Sequence, residues 1–348
     1  MKGKVITIIL ITILIGALIS GCVGNPRTEA QTTPSAAVTS TPAGGLTPAA
    51  TASQPAASSP ELEGTITLSG AFALYPMAVR WGEEFQKLHP RVKVEISAGG
   101  AGKGMTDTLG GLADIGMISR DVDPSEIQKG AYPIGVTKDA VVATVNAKNP
   151  VLNDLHSKGV KRNTFAALYL NGTVNTWGDV VGRPEIKQEI HVYTRSDSSG
   201  ASDIWAKYLG GKQESLKGTG VFGDPGLLAA VQRDPMGIGY NNYNYAFDMK
   251  TGLPVSGIQV IPFDVNENGV VDPDEDIITK DKTVASIKKG VFPSPPARVE
   301  LFVTRGKPTG LTAEFIGWVL TEGQQYVDEV GYIQLSKETL DGELRKLE

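Results

Sequence analysis

One cysteine, Cys22, and three histidines, His89, His156 and His191, are all that these 348 residues contain of the two residue types most used in zinc, redox and nucleophilic chemistry. A lone cysteine excludes a disulfide framework, a multi-cysteine zinc cluster and a redox dithiol. None of the histidines lies in a catalytic-looking motif and no G-x-S-x-G elbow is present, which leaves little basis for a hydrolase. Positive charge is not in excess either. Lys and Arg number 33 against 38 Asp and Glu, a formal charge of −5, which argues against nucleic acid or an anionic membrane face as partner. An anion would have to be held by local dipoles, since the overall field opposes it. No internal repeat is visible.

What is present begins with Met1-Lys2-Gly3-Lys4 and an apolar run from Val5 to Ile19, the charged and hydrophobic regions of a secretory signal. Ile19-Ser20-Gly21-Cys22 follows and resembles a lipobox whose cysteine becomes the lipidated end, so residues 1–22 are expected to direct the chain across a membrane and tether it there. The competing reading is a short uncleaved anchor with an incidental cysteine, for which the run is marginal in length. Residues 23–61 are Thr, Pro, Ser and Ala with almost nothing large to bury, and are expected to be a disordered stalk.

The remainder, from Leu62 on, is long enough for two lobes. Thr65-Ile66-Thr67-Leu68 alternates like a strand, then a loop through Ser69 to Tyr75 reaches Pro76, suited to a first helical turn. Met77, Trp81, Phe85 and Leu88 follow as one apolar stripe, stopped by His89-Pro90. Val92, Val94 and Ile96 form a second strand, leading into a glycine loop, residues 98–104, and a short helix with Met105, Leu109 and Leu112 inward. The loop lacks the Gly-Lys-Ser/Thr ending of a Walker A motif. Both units deliver a loop into a helix N-terminus, where free N–H groups and the helix dipole favour an anion. Residues 114–118 read as a short buried strand ending at Ser119-Arg120-Asp121, and Asp123-Pro124-Ser125-Glu126 as a capped helix start.

The second lobe carries Arg195-Ser196-Asp197-Ser198-Ser199-Gly200-Ala201 between a strand, residues 191–194, and a helix with Ile204, Trp205, Tyr208 and Leu209. Arginine presents a planar fork of donors to tetrahedral oxygens, Asp197 is suited to orient that fork, and Ser199 with the N–H groups of Gly200 and Ala201 opens a helix N-terminus. A surface Arg–Asp pair with a serine cap remains the alternative for this motif alone.

Taken together, the S-G-A…Y-P loop before a helix, the G-G-A-G-K-G loop, A-D-I-G-M-I-S-R-D, the 139–151 segment, the 164–179 segment, the Arg195 turn and the closing helices around 315–333 resemble phosphate-binding proteins of ABC importers. The resemblance implies an α/β, two-lobed periplasmic-binding-protein-like type II fold with two crossing hinge segments. Lobe I would comprise 62–145 and 257–348, and lobe II 146–256. It implies that an oxyanion meets the backbone at Leu74, Tyr75, Ala101 and Gly102, the strand end at Ser119 and Arg120, and Arg195, Ser199, Gly200 and Ala201, with Asp197 orienting. It also implies that a monomer outside the cell membrane's cytoplasmic face, held by its lipid anchor, delivers inorganic phosphate to ABC permease subunits and catalyses nothing. Leu74, Ala101 and Ala201 stand where well-known members carry hydroxyls, and Ser119-Arg120 stands where some place an Asp that reads the ligand's proton. Lys103 and Arg120 are candidates to supply charge instead. The same device tuned to tungstate, molybdate or sulfate is thus the nearest alternative; a surface adhesin or sensor, and a phosphatase using Ser199, are the alternatives of other classes.

One motif falls outside that resemblance. Residues 264–275 fit D-x-N-x-N-G-x5-E, which offers Asp264, Asn266, Asn268, the Val270 carbonyl, Asp272 and Glu275 to a structural Ca2+. Flanking helices are not evident, so an isolated loop is expected, with an acidic turn as the alternative.

Overall fold

A computed structural model of the chain describes residues 61–348; the expected signal segment, Cys22 and nearly all of the expected stalk lie outside the described residues. Alternating Ile66 and Leu68 bury one face of β1 (Gly64–Gly70), which lies between β2 (Val92–Ala98) and β3 (Ile115–Ile118), parallel to both. All four residues of β3 are buried, as a strand covered on both faces requires. The helices between these strands, Tyr75–Leu88 and Ala101–Leu109, have the expected starts. Their stripes end sooner than periodicity predicts. Met77, Trp81 and Phe85 are buried, but Leu88 is 60% exposed, and Leu112 lies beyond its helix and is 78% exposed.

β4 (Ala131–Asn146) is the long strand that joins the two halves. Its first part, through Ala140, pairs antiparallel with β9 (Ala297–Arg305), which also pairs with β3. Its last part, from Val141, pairs with β7 (Gly237–Asn242) and β8 (Ile258–Val260). β7 continues in parallel to β5 (His191–Arg195) and β5 to β6 (Thr219–Val221). The sheet order β2-β1-β3-β9-β4-β7-β5-β6 is thus a parallel block at each end with antiparallel β9 and β4 between them.

Two apolar cores lie along this sheet. One gathers Trp81, Phe85, Phe302 and Phe315; the other gathers Phe165, Trp205, Tyr240 and Phe263. Their membership moves both expected lobe boundaries. Val136 belongs to the first core and Ala140 to the second, so the chain crosses near 140 rather than 145. Ile258, Phe263, Ile277 and Phe292 all belong to the second core, so the return falls at β9 and not at 257. The cause is packing: β8 adds to the far half of β4, and Phe263 stacks on Tyr208 and Phe292 at 5.5 and 5.2 Å between ring centres. The two crossing strands meet at Asp139–Arg298 and Ala140–Ala297, which are directly opposed in register.

Candidate anion-binding site

Arg195 ends β5 with its side chain 1% exposed, an arrangement that no arginine sustains without partners. Its Nε and one terminal nitrogen donate to the two oxygens of Asp197 at 2.8 and 2.6 Å, and the other terminal nitrogen donates to Asp224 at 2.6 Å. Burial works against the positive charge, but Asp224 and Asp197 outweigh it and hold the guanidinium protonated. Three of its five N–H groups are committed to these carboxylates, which leaves two for a ligand. Asp197 also accepts the Gly223 N–H at 3.0 Å, and Asp224 accepts the Asn242 backbone and side-chain N–H groups at 3.0 and 2.8 Å. The fork is therefore fixed before any ligand arrives.

The lobes meet across this arginine. The Gly102 N–H donates to the Ser198 carbonyl at 3.1 Å, Lys207 pairs with Asp121, and the Arg195 guanidinium lies 5.4 Å from the centre of the Phe72 ring. Gly200 packs directly on Ser119, and a methyl group added there would run into the Ser119 hydroxyl and carbonyl. These contacts define the closed arrangement of the two lobes. The helices Ala101–Leu109 and Gly200–Leu209, one from each lobe, start at this junction.

Of the residues expected to hold the anion, the structure brings Ala101, Ser119, Arg195, Ser199 and Gly200 together with donors to spare. The N–H groups of Ala101 and Gly200 have no protein acceptor among the described residues. The Ser199 hydroxyl accepts from the Ala201 and Ser202 N–H groups, which leaves its own proton to donate. Other expected donors are already used. Gly102 bonds Ser198, Ala201 bonds Ser199, and the Leu74 and Tyr75 N–H groups close turns onto Ala71 and Phe72 at 3.3 and 3.2 Å. Arg120 is turned away: it donates two bonds to Glu126, at 2.9 and 2.7 Å, inside the capping box of helix Pro124–Gln128. Lys103 is engaged by Asp107 and by Ser69 at 3.1 Å. Neither cation supplies the charge expected of it.

The sequence matches the PBP superfamily domain over residues 26–322. The chain belongs to the PBP superfamily. It is 30% identical to the phosphate-binding protein PstS of Methanocaldococcus jannaschii, with 78% of this chain and 82% of that one covered. Among solved structures, a Clostridium perfringens protein with bound phosphate superposes with a TM-score of 0.63 at 23% identity, over 78% of this chain and 100% of the other. An ABC-type phosphate transport receptor from Vibrio cholerae gives 0.56 at 21%, over 78% and 100%. These two likenesses concern the fold.

Within this PBP-superfamily fold, sequence reasoning misses Asp224 and the group behind it. Arg298, from β9, donates to Glu300 at 2.8 Å, to Asp139 at 3.2 Å, to the Gly200 carbonyl at 3.2 Å and to Asn242. It ties the crossing strands to the start of helix Gly200–Leu209. Burial pushes the carboxyls of Asp139 and Glu300 above the usual range, opposed by Arg298. The signal available in the sequence was an acidic residue in the first turn after Phe222-Gly223, which reads as an ordinary helix start.

Proposed function

We infer that this protein is an extracytoplasmic phosphate-binding protein that captures phosphate between its lobes and delivers it to the permease of an ABC importer. It is a binding protein and not an enzyme. The observation that carries the reading is Arg195, buried, fixed by Asp197 and Asp224, and left with two N–H groups at a junction where two helix N-termini from opposite lobes converge. Relatives named for phosphate binding supply the identity of the anion.

The chemistry agrees. A multiply charged anion leaves water only if each oxygen is met by donors, and closure lets both lobes provide them: Ala101 and Ser119 from one, Arg195, Ser199 and Gly200 from the other. Calorimetric titration of the purified protein with phosphate, sulfate, molybdate and tungstate tests the reading. Phosphate is expected to bind the most tightly, and a group-six oxyanion binding without any phosphate heat would overturn it.

Two finer features belong to the same proposal. The lipobox-like run before Cys22 supports a lipid anchor on the outer face of the membrane. A monomer suffices, because a single chain supplies both walls of the site.

A further inference from the structure

The loop at 264–275 lies in the second lobe. It follows Phe263 directly and is held against the segment after helix Leu152–Lys158: Val271 donates to the Ser157 carbonyl at 2.9 Å, Val160 to Pro262 at 3.0 Å, and Asp264 to Val160 at 3.2 Å. Asp264 is buried, its side chain 1% exposed. Its Oδ2 accepts the Gly269 N–H across the loop at 3.0 Å, while its Oδ1 is buried with no hydrogen-bond partner. A carboxylate oxygen withdrawn from water with nothing to meet it is costly, and its cost is removed by a cation. The nearby Lys161 does not serve: its Nζ is 3.9 Å from Oδ2 and donates to the Glu267 carbonyl at 2.8 Å.

The other oxygen-bearing side chains of the motif are tied together by hydrogen bonds within the loop. Asn266 Oδ1 accepts from the Asn268 N–H at 3.0 Å and Asn268 Oδ1 from the Val270 N–H at 2.9 Å, so each retains a second lone pair. Both amide nitrogens donate to Asp272 Oδ2, at 2.6 and 3.0 Å. Glu275, also buried, closes the loop by accepting from the Val265, Asn266 and Asp272 N–H groups. Gly269 takes a φ of +83°, the sharp turn the motif requires at its sixth position.

We propose that this loop binds Ca2+ through Asp264, Asn266, Asn268, the Val270 carbonyl, Asp272 and Glu275. No cluster of three or more acidic, His or Cys side chains stands at metal-holding distance among the described residues. The three acids, Asp264, Asp272 and Glu275, are thus not drawn together here, and the ion would gather them with the amide and carbonyl oxygens of the other three positions. Such a set suits Ca2+, which takes six to eight oxygens flexibly, better than Mg2+, which demands a tight octahedron. The ion clamps the second lobe where Phe263 stacks on Tyr208, the helix whose start faces the ligand.

The test is calorimetry of the full chain with CaCl2 after chelator treatment, together with thermal melts. Binding is expected at a Kd on the order of 10⁻⁴–10⁻³ M, and at about 10 mM Ca2+ the melting temperature rises by several degrees while Mg2+ has little effect. Asp264→Ala abolishes the heat. Because that core change threatens folding, Asn268→Ala, at an exposed position, is the second variant: it weakens Ca2+ binding at least about tenfold and leaves phosphate binding unchanged. A parent chain that gives neither heat nor a melting shift with Ca2+, or an Asn268→Ala variant that binds it as tightly as the parent, overturns the proposal.

Discussion

At the scale of single residues, the site depends on one cation that cannot be exchanged for another. Arg195 meets two carboxylates through three N–H groups in one plane and keeps two for the ligand. A lysine carries three donors on one tetrahedral nitrogen and cannot span Asp197 and Asp224 while still facing the anion. Arg195→Lys is therefore expected to weaken phosphate binding by at least about 100-fold, on the scale of ~3 kcal/mol or more for a broken buried pair; calorimetry that finds wild-type affinity contradicts the assignment. Gly200 makes a different demand, for space. Its Cα packs so close that a Cβ would lie 2.7 Å from the Ser119 carbonyl carbon and nearer still to both its oxygens. Gly200→Ala is expected to hold the lobes apart, lowering phosphate affinity by roughly ten- to a hundredfold while the melting temperature without ligand stays within a few degrees. Equal affinities in the two proteins would show that closure does not bring these residues together. Arg195, Ser199 and Gly200 are legible in the sequence because they are adjacent within one turn. Asp224 is not, because it lies 29 residues away and its relation to Arg195 exists only after β7 has aligned Asn242 beside it.

Among the elements, the crossing strands carry the least obvious chemistry. Asp139 on β4 and Arg298 on β9 are opposed in register, and Glu300 follows two residues on, so all three side chains share one buried face. Burial pushes both acids up, Asp224 adds to the difficulty of each and Glu300 to that of Asp139, while Arg298 and, for Asp139, the Ala140 N–H oppose it. The folded chain thus holds protons here at pH values where the unfolded chain has lost them. Stability contributed by this group is full below the ordinary carboxylate pKa and falls as pH rises towards the raised folded value. Asp139→Asn keeps an acceptor for the Ala140 N–H and leaves Glu300 to pair with Arg298. It is expected to gain about 1 kcal/mol on the parent between pH 5 and 8 in urea unfolding, and curves that run parallel across that range would refute the assignment. The strand–loop–helix units before residue 110 are legible because a period of two gives way to a period of 3.6 with glycine or proline between. The second crossing is not, since Ser256-Gly257 has the composition of a hinge and only the pairing of β8 with β4 and the stacking of Phe263 and Phe292 assign residues 258–297 to the second lobe.

For the whole molecule, capture runs against the net field. A chain of formal charge −5 repels a phosphate dianion at long range, and attraction begins only where helix N-termini and Arg195 are within reach. Local confinement near a permease then matters more than steering through solution, and the lipid anchor proposed at Cys22 would provide it. That anchor would keep the binding unit within a short radius of the membrane and raise its effective concentration at a membrane partner. Cys22 precedes the matched domain, which starts at residue 26. Cys22→Ser is therefore expected to move the protein from the membrane to the soluble fraction of the producing cells, with phosphate affinity unchanged in calorimetry. Retention in the membrane fraction after the substitution would instead assign the tether to the apolar run from Val5 to Ile19, acting as an uncleaved anchor.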